Sequence, residues 1–248
     1  MADRLEALLK TFSVNASTFN AGALCGITRL ESNEEAGQLH LVRQGDVEVK
    51  HGSKTAARIT RPSLLFYPRP MPHRFITDPE RGADFVCAHL YFVGGAGNPI
   101  AASLPAFTCL GLDELDGAEG VLNLIFEEAF MTNCGRQAML DHLFVVVLIK
   151  ILRQLMEDGR TQVGMLAGLA HPTLRHSLIA IHEDPASNWT LDNLAECASM
   201  SRSVFARTFR ETVGCTPGNY LQRWRVGLAQ QNLRKGHALK FIVHDVGY

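Results

Sequence analysis

Short runs of apolar residues separated by turn-forming residues occupy the chain from about residue 20 to 95. The runs are LCGITRLE, QLHLVRQGDVEVKHG, ARITRPSLLFYPRPMPHRF and ADFVCAHLYFVGG. Val, Ile, Phe and Tyr are frequent in them, and Gly, Pro, Asn and Asp separate them at roughly ten-residue spacing, which predicts β-strands. Several such strands predict a small barrel or jelly roll. Because proline does not fit a central strand, YPRPMPH is predicted to be a turn that places His73 near a strand end.

From about residue 118 the apolar positions repeat with the period of a helix instead. A first repeat covers 122–129, and a longer one runs from Leu140 to Leu155. The β-branched residues at 145–147 locally favour a strand, but the absence of a turn signal over about fifteen residues favours a helix. The wide apolar surface of these helices is expected to be buried between domains or in a dimer, or to pack against the strands. The Gly-rich segment 158–172 is the predicted linker.

Two short helices separated by three residues are predicted in the C-terminal third. WTLDNLAECA predicts the first helix, with Thr190 as its N-cap. Ser201 and Gly214 are the predicted start and end of the second helix, which would run for about three turns. Two helices joined by so tight a turn fit a helix-turn-helix, whose second helix can enter the major groove of DNA.

The second of these helices has one apolar face and one basic face. At helical spacing the apolar stripe consists of Phe205, Phe209 and Val213. The arc on the other side consists of Ser203, Arg207 and Arg210. An ordinary helical hairpin with a solvated charged face is the alternative interpretation.

Composition places the chain among globular proteins, since 46% of its 248 residues are hydrophobic and 20% are charged. The net charge of −1 hides an asymmetry: residues 1–170 carry four more acidic than basic side chains, and residues 171–248 carry three more basic than acidic ones. A modestly basic C-terminal part suits a polyanion-binding module.

The cysteines and the apolar segments predict a cytoplasmic location without membrane insertion. The six cysteines show neither Cys-x-x-Cys nor zinc-finger spacing, which is typical of a reducing compartment. Residues 1–12 have the pattern of a short amphipathic helix and lack the apolar core of a signal peptide. The most apolar run, LFVVVLI at 143–149, is too short to span a bilayer.

The segment 171–236 resembles the DNA-binding domain of AraC-type (AraC/XylS) transcription regulators. The residues that carry the resemblance are Trp189-Thr190, Leu194-Ala195, Met200-Ser201-Arg202, Phe205, Phe209, Gly214, Pro217, Tyr220-Leu221, Arg225 and Leu233. Upstream, QLHLVRQGDVEV, PSLLFYPRPMPHRF, FVCAHLYF and ASLPAFTCL are similar to the cupin-type sensor half found in one branch of that family.

The resemblance implies an α+β protein with three parts. These are an N-terminal cupin-like β-barrel or jelly roll, a helical connector and a C-terminal all-α helix-turn-helix domain. The expected bounds are 1–115 for the sensor domain, 116–168 for a connector with a possible role in dimerisation, 169–236 for the first helix-turn-helix with its linker helix, and 237–248 for the start of a second one.

The resemblance also implies double-stranded DNA as the partner of a homodimer. The residues that stand where base-edge contacts come from are Ser203, Ala206 and Arg207. Phosphate contacts are expected from Ser201, Arg202 and Arg210. Among the base-edge residues only Arg207 has the fork for a bidentate contact to guanine, which would contribute about 1–3 kcal/mol of discrimination.

Two departures from the family pattern lead to further expectations. Ser199 stands where such turns usually place Gly, and a left-handed backbone there would cost a non-glycine residue roughly 1 kcal/mol. LKFIVHDVGY resembles the first helix of the family's second helix-turn-helix, and this chain ends at Tyr248. We therefore expect an incomplete second unit, whose apolar residues Leu239, Ile242, Val243 and Val246 lack the partner that would cover them.

The N-terminal half offers histidines and cysteines for sensing rather than a metal site. Cupin enzymes bind a metal through a His-x-His pair, a carboxylate and a later His; His40 and His73 stand at roughly matching places, but no His-x-His or convincing carboxylate accompanies them. We therefore expect no metal or other cofactor, and His40 is predicted to be a satisfied core histidine.

Thiol chemistry and a small effector are the two candidate sensing events. Cys87 and His89 would share one strand face, where an imidazolium could lower the pKa of the thiol, and Cys25 could be its partner. A buried, inert Cys87 is the alternative. A small apolar effector lined by Phe66, Phe85 and Tyr91 is the competing hypothesis.

Taken together, the sequence predicts a DNA-binding transcription regulator, not an enzyme, controlled by an effector or by thiol oxidation in a cupin-like domain. A cupin-fold metalloenzyme or small-molecule-binding protein is one alternative. A truncated protein that dimerises with full-length relatives and modulates them is the other.

Overall fold

A computed structural model describes residues 3–30, 36–95, 98–161 and 163–247. The chain forms two compact units. The first, here called the sheet unit, consists of residues 14–97 and 105–155; the second, the helical unit, consists of 1–13, 98–104 and 156–248. The domain bounds expected from the sequence remain predictions.

Nine strands of the described residues form the two antiparallel sheets of the sheet unit, in agreement with the predicted jelly roll. One sheet has the strand order β1-β8-β3-β6-β9 and the other has the order β2-β7-β4-β5. The strands are β1 Val14–Leu24, β2 Ile27–Leu30, β3 Gly37–Gln44, β4 Val47–His51, β5 Lys54–Ile59, β6 Ser63–Tyr67, β7 His73–Thr77, β8 Ala83–Phe92 and β9 Thr108–Gly111. The turn predicted for YPRPMPH is confirmed, since β6 ends at Tyr67 and β7 begins at His73.

The core of the sheet unit lies between the two sheets. Val49 and Phe75 come from the four-stranded sheet, and Phe85 and Cys87 come from the five-stranded sheet. The rings of Phe75 and Phe85 are stacked with their centroids 4.9 Å apart. Because side chains alternate along a strand, residues one position away, such as Val86, lie on the opposite face of the five-stranded sheet.

Two helices follow the strands in the sheet unit, α3 (Glu119–Ala129) and α4 (Arg136–Glu157). The predicted helix through 145–147 is therefore confirmed, because the apolar period of the whole segment outweighs the local preference of three β-branched residues. Asp141 of α4 accepts a hydrogen bond of 2.7 Å from the backbone N–H of Thr18 in β1.

The helical unit combines segments from both ends of the chain with a short segment from its middle. Its helices are α1 Glu6–Thr11, α2 Pro99–Ala102, α5 Met165–Ala170, α6 Leu174–Glu183, α7 Leu191–Cys197, α8 Arg202–Val213, α9 Pro217–Arg234 and α10 Leu239–Asp245. Phe12 follows α1, and its ring packs edge-on against Trp224 of α9 at 5.3 Å. A Cβ atom at Gly227 would lie 3.0 Å from the Phe12 ring, so the missing side chain in the middle of α9 accommodates this ring.

The interpretation of 158–172 as a linker is wrong for the residues that form α5. Met165, Leu166 and Leu169 are buried there. A Cβ atom at Gly168 would lie 3.0 Å from both Leu178 and Val213. Glycine at this position therefore permits close helix packing rather than chain flexibility.

Candidate nucleic-acid interface

Helices α7 and α8 form the predicted helix-turn-helix. Thr190 caps α7, since its hydroxyl accepts a hydrogen bond of 3.1 Å from the backbone N–H of Asn193. The predicted apolar stripe of α8 is confirmed, because Phe205, Phe209 and Val213 are its buried residues. Burying two phenyl rings and a valine orients the opposite face of α8 toward solvent.

The turn between α7 and α8 is a left-handed helix end. Ser199 has φ 53°, and no other non-glycine residue of the described chain has a positive φ. Its N–H donates to the Glu196 carbonyl at 2.8 Å, and the Met200 N–H donates to the Ala195 carbonyl at 2.9 Å. These two bonds form a Schellman motif, which confirms the left-handed backbone expected at Ser199.

The arc of α8 opposite the stripe carries the predicted contact residues. Ser203, Arg207 and Arg210 are exposed, and Ala206 is half-buried. No ion pair within the described residues uses Arg207 or Arg210. Both guanidinium groups are therefore available to an anion.

The two residues at the start of α8 differ in their surroundings. Ser201 is exposed and begins the helix as its N-cap without a side-chain cap bond, which leaves its hydroxyl available. The Arg202 guanidinium lies 3.5 Å from the Asp192 carboxylate of α7. Since both groups are exposed, this ion pair is weak and competes only modestly with a phosphate.

Arg207 and Arg210 face a groove of about 590 Å³ between the starts of α7 and α9. Trp189 lines it just before α7, Leu191 from α7 and Pro217 from α9, and Glu211 is the one carboxylate of this lining. The Thr216 hydroxyl caps α9 by accepting a hydrogen bond of 3.3 Å from the Asn219 N–H. The positive ends of two helix dipoles thus add to the two guanidinium charges, which favours a polyanion at this surface.

Arg225 of α9 holds the approach to the helix-turn-helix in place. It donates to the carbonyl oxygens of Pro185 at 2.7 Å and Ser187 at 2.9 Å, just before α7, and to that of Gly247 at 3.3 Å, after α10. The sequence identified Arg225 only through the resemblance, because an arginine that binds three carbonyls has no local sequence signal.

Helix α10 is partly covered, contrary to the expectation that all four of its apolar residues lack a partner. Ile242 and Val246 are buried where α10 packs on α9. Leu239 and Val243 remain exposed, at 63% and 39%. Packing on α9 therefore buries one side of α10.

In the sheet unit, four of the five residues predicted for sensing lie together between the sheets: His40, Cys87 and His89 on the five-stranded sheet, and His73 on the four-stranded sheet. Cys87 is directly opposite His40 in the register of β8 and β3, and His89 lies two residues further along β8. His73 Nε2 lies 3.1 Å from His40 Nε2. We call His40, His73, Cys87 and His89 the histidine–cysteine cluster.

The hydrogen bonds of the cluster determine which nitrogens carry protons. His73 Nδ1 lies 2.8 Å from the Met71 carbonyl oxygen, which can only accept, so Nδ1 is protonated. Burial lowers the pKa of His73 to about 4 and that of His40 well below its usual range, so both rings are neutral. His40 Nε2 must then donate to His73 Nε2, and His40 Nδ1 is an acceptor without a partner among the described groups. The expectation of a satisfied core histidine is therefore only half right.

The surroundings of Cys87 oppose the predicted activation of its thiol. Burial raises the pKa of Cys87, and the neighbouring Asn20 amide opposes this only in part. The pKa of His89 is itself lowered by burial, so its ring supplies no positive charge. Cys25 is exposed and directly follows β1. It lies five residues beyond Asn20, which is paired with Cys87, so an extended chain places Cys25 roughly 17 Å from that pair. A disulfide between Cys25 and Cys87 would require rearrangement of β1.

The other predicted lining residues do not share one face. Phe85 lies in the core between the sheets. Tyr91 is six residues further along β8 and therefore lies on the same face of the sheet. Phe66 lies between Leu65 and Tyr67 on β6. Because both of these neighbours face that core, the Phe66 side chain lies on the opposite face of the sheet. Tyr67, which the sequence missed, stacks on His73 with ring centroids 4.1 Å apart.

The histidine pair does not fit a cupin-type metal centre. Two imidazole nitrogens face each other, but the described residues contain no group of three or more potential ligands placed to hold a metal ion. No helix of the described residues is long and apolar enough to cross a membrane.

These features, a jelly roll followed by a helix-turn-helix with a basic outer arc, define a cupin-fold protein that carries a helix-turn-helix. Residues 3–157 match the cupin family, and residues 181–222 match the bacterial regulatory helix-turn-helix proteins of the AraC family. The chain belongs to the cupin family through residues 3–157, and residues 181–222 form an AraC-type helix-turn-helix.

Several relatives have similar sequences. A putative AraC-like transcription regulator from Streptomyces lividans is 46% identical over 110 residues, which are 44% of this chain and 36% of that protein. One from Streptomyces antibioticus is 40% identical over 140 residues, 56% of this chain and 46% of that protein. The chain thus spans less than half the length of these two relatives. An uncharacterised HTH-type transcriptional regulator from Haemophilus influenzae is 26% identical over 90% of this chain and 82% of its own length.

Solved structures are more distant. ToxT from Vibrio cholerae is 10% identical, covers 96% of this chain and 89% of its own, and superposes with a TM-score of 0.36. The AraC-like activator CuxR is 13% identical over 95% of this chain and 86% of its own, with a TM-score of 0.35.

Proposed function

We propose that the protein is a cytoplasmic transcription regulator, not an enzyme, that binds double-stranded DNA sequence-specifically through α8. The observation that carries the proposal is the pair of unpaired, exposed guanidinium groups of Arg207 and Arg210 on a helix whose other face is buried. Arg207 and the shorter Ser203 and Ala206 would face base edges. Ser201, Arg202 and Arg210 would bind phosphates, as their places around the start and outer side of α8 allow.

The proposal predicts different losses for the two arginines. Arg207→Ala should relax the base preference at one position, because a bidentate contact to guanine contributes about 1–3 kcal/mol. Arg210→Ala should weaken binding to all sequences and reduce the salt slope of log K by about 0.9, the share of one phosphate contact. A DNA selection followed by salt-titrated binding measures both quantities.

Arg58→Ala is the matched control, because the Arg58 side chain is 79% exposed on β5 and lies outside α8. It should leave both base preference and salt slope unchanged. Equal losses on selected and random DNA for Arg207→Ala and Arg210→Ala would contradict the assigned roles.

We further propose that the protein acts as a homodimer through the outer side of α4. An apolar stripe on that side consists of the exposed Met139 and Val146 and the half-buried Leu143 and Ile149. Such a stripe at helical spacing suits pairing with a second copy. Val146→Glu should convert the dimer to a monomer in analytical ultracentrifugation, whereas Ile27→Glu, at a 64% exposed site of β2, should not. A dimer that is unaffected by Val146→Glu would contradict this interface.

The regulatory signal is proposed to act on the histidine–cysteine cluster, as a small effector or as oxidation of Cys87, with Cys25 as a second thiol. The unpartnered Nδ1 atoms of His40 and His89 support a polar effector. The raised pKa of Cys87 argues for slow oxidation. If Cys87 is the sensor, hypochlorite or peroxide should change DNA affinity in the wild type and in Cys25→Ser but not in Cys87→Ser. The same response in all three proteins would exclude both thiols.

A further inference from the structure

A cavity of about 580 Å³ lies in the sheet unit between the end of β3 and the first part of α3. Its volume is within the range of small-molecule sites, roughly 300–1,000 Å³. Its apolar lining consists of Pro62, Leu112, Leu115, Leu122 and Phe126. The cavity is separate from the histidine–cysteine cluster, because no residue of that cluster belongs to its lining.

Arg43 is the one basic side chain of this lining. Its guanidinium carbon lies 5.9 Å from the ring centroid of Phe126 and 5.6 Å from that of Phe130. Two aromatic rings therefore hold the planar group while its N–H edges stay free. Arg43 has no ion pair with a carboxylate of the described residues. A guanidinium oriented in this way is suited to a two-pronged bond with a carboxylate or sulfonate.

Other charges of the lining leave this preference intact. Asp113 is paired with Arg61 at 2.9 Å, which compensates part of its charge, since Arg61 also pairs with Glu114 at 2.6 Å. The Lys150 ammonium donates to the backbone carbonyl of Asp116 at 3.3 Å and so places a positive charge beside that residue. Glu119 is exposed in the first turn of α3, where the helix dipole stabilises its charge and solvent screens it.

We propose that this cavity binds a small molecule with an apolar aromatic or alkyl body and a single anionic group. The anion accepts hydrogen bonds from Arg43, and the body packs against Leu115, Leu122 and Phe126. The inference goes beyond the proposed function, because it uses none of the residues assigned to DNA binding or to the histidine–cysteine cluster.

Two fluorescent probes with the same rings test this pairing of charge and apolar surface. Anilinonaphthalene sulfonate carries an anion, and phenylnaphthylamine is its neutral counterpart. The wild-type chain should bind one equivalent of the sulfonate saturably. Arg43→Gln should weaken sulfonate binding about tenfold or more and leave phenylnaphthylamine binding unchanged, since only the charge-assisted bonds are lost. Naphthoate should displace the sulfonate, and naphthamide, which has nearly the same shape without the charge, should not.

Two control variants locate the probe. Arg58→Gln removes an equally charged, exposed side chain of the same unit and should change neither titration. Phe241→Ser removes an apolar side chain of α10 that is 61% exposed and should also change neither. Equal weakening of both probes by Arg43→Gln, displacement by naphthamide as strong as by naphthoate, or loss of binding in Phe241→Ser would overturn the proposal. These titrations contain no DNA, so failure of the proposed DNA binding would leave their result intact.

Discussion

Replacement of Ser199 by glycine tests whether the turn of the helix-turn-helix stores backbone strain. A non-glycine residue at φ 53° costs about 1 kcal/mol or slightly more relative to glycine. Relief of this strain by glycine is offset by roughly 0.5 kcal/mol, because glycine makes the unfolded chain more flexible. Both backbone hydrogen bonds of the motif are kept, so Ser199→Gly should raise the free energy of unfolding of the helical unit by about 0.5–1 kcal/mol.

Tryptophan fluorescence during urea unfolding suits this measurement. The two tryptophans of the chain, Trp189 and Trp224, both belong to the helical unit, so their signal reports the unfolding of that unit. Ser199→Ala serves as the control, since it keeps the strained backbone and should change the midpoint little. Ser199→Val should destabilise, because a β-branched side chain tolerates the left-handed region least. If Ser199→Gly is no more stable than Ser199→Ala, the strain argument fails.

Three further outcomes are expected. Gly227→Ala should stabilise the helical unit by about 1 kcal/mol in a Phe12→Ala background but not in the wild type, because the Phe12 ring occupies the space that the new methyl group needs. A double-mutant unfolding cycle measures the difference, and equal effects in both backgrounds would exclude the contact between Phe12 and Gly227. Iodoacetamide at neutral pH should alkylate the exposed Cys134 in the native protein and leave the buried Cys87 unmodified, as peptide mass mapping would show. Equal labelling would contradict the burial of Cys87. Burial lowers the pKa of His182 from 6.5 to about 3, so below pH 6.5 the unfolded chain binds a proton that the folded chain does not. The free energy of unfolding should therefore fall as the pH drops from 6.5 towards 3. In His182→Gln the urea midpoint should depend less steeply on pH.

The C-terminal elements could be predicted from the sequence in detail, because their signals are local. The spacing of Phe205, Phe209 and Val213 determines which side of α8 is buried, and Thr190 and Gly214 mark helix ends through their own backbone and side-chain chemistry. The left-handed conformation of Ser199 was expected only through the resemblance, because such turns usually place Gly there. The sequence alone therefore predicts which side of α8 carries the candidate DNA contacts.

The sheet unit was predictable only as a class of fold. Strand register decides that His40 lies opposite Cys87 and that Phe66 turns away from Phe85, and no local pattern encodes register. The loss of thiol activation at Cys87 has the same origin, since burial by residues distant in the chain sets its pKa. The cavity beside Arg43 likewise depends on α3, which is about 80 residues further along the sequence.

The packing of Phe12 on α9 has a consequence for attempts to dissect this protein. A fragment that begins after α4 retains the whole helix-turn-helix sequence, yet it lacks the ring that fills the notch at Gly227 and covers Trp224. Such a fragment exposes an apolar patch in the middle of its longest helix, which favours self-association. The compact unit that contains the helix-turn-helix is discontinuous in sequence, and supplying the first thirteen residues as a separate peptide should restore the solubility of such a fragment.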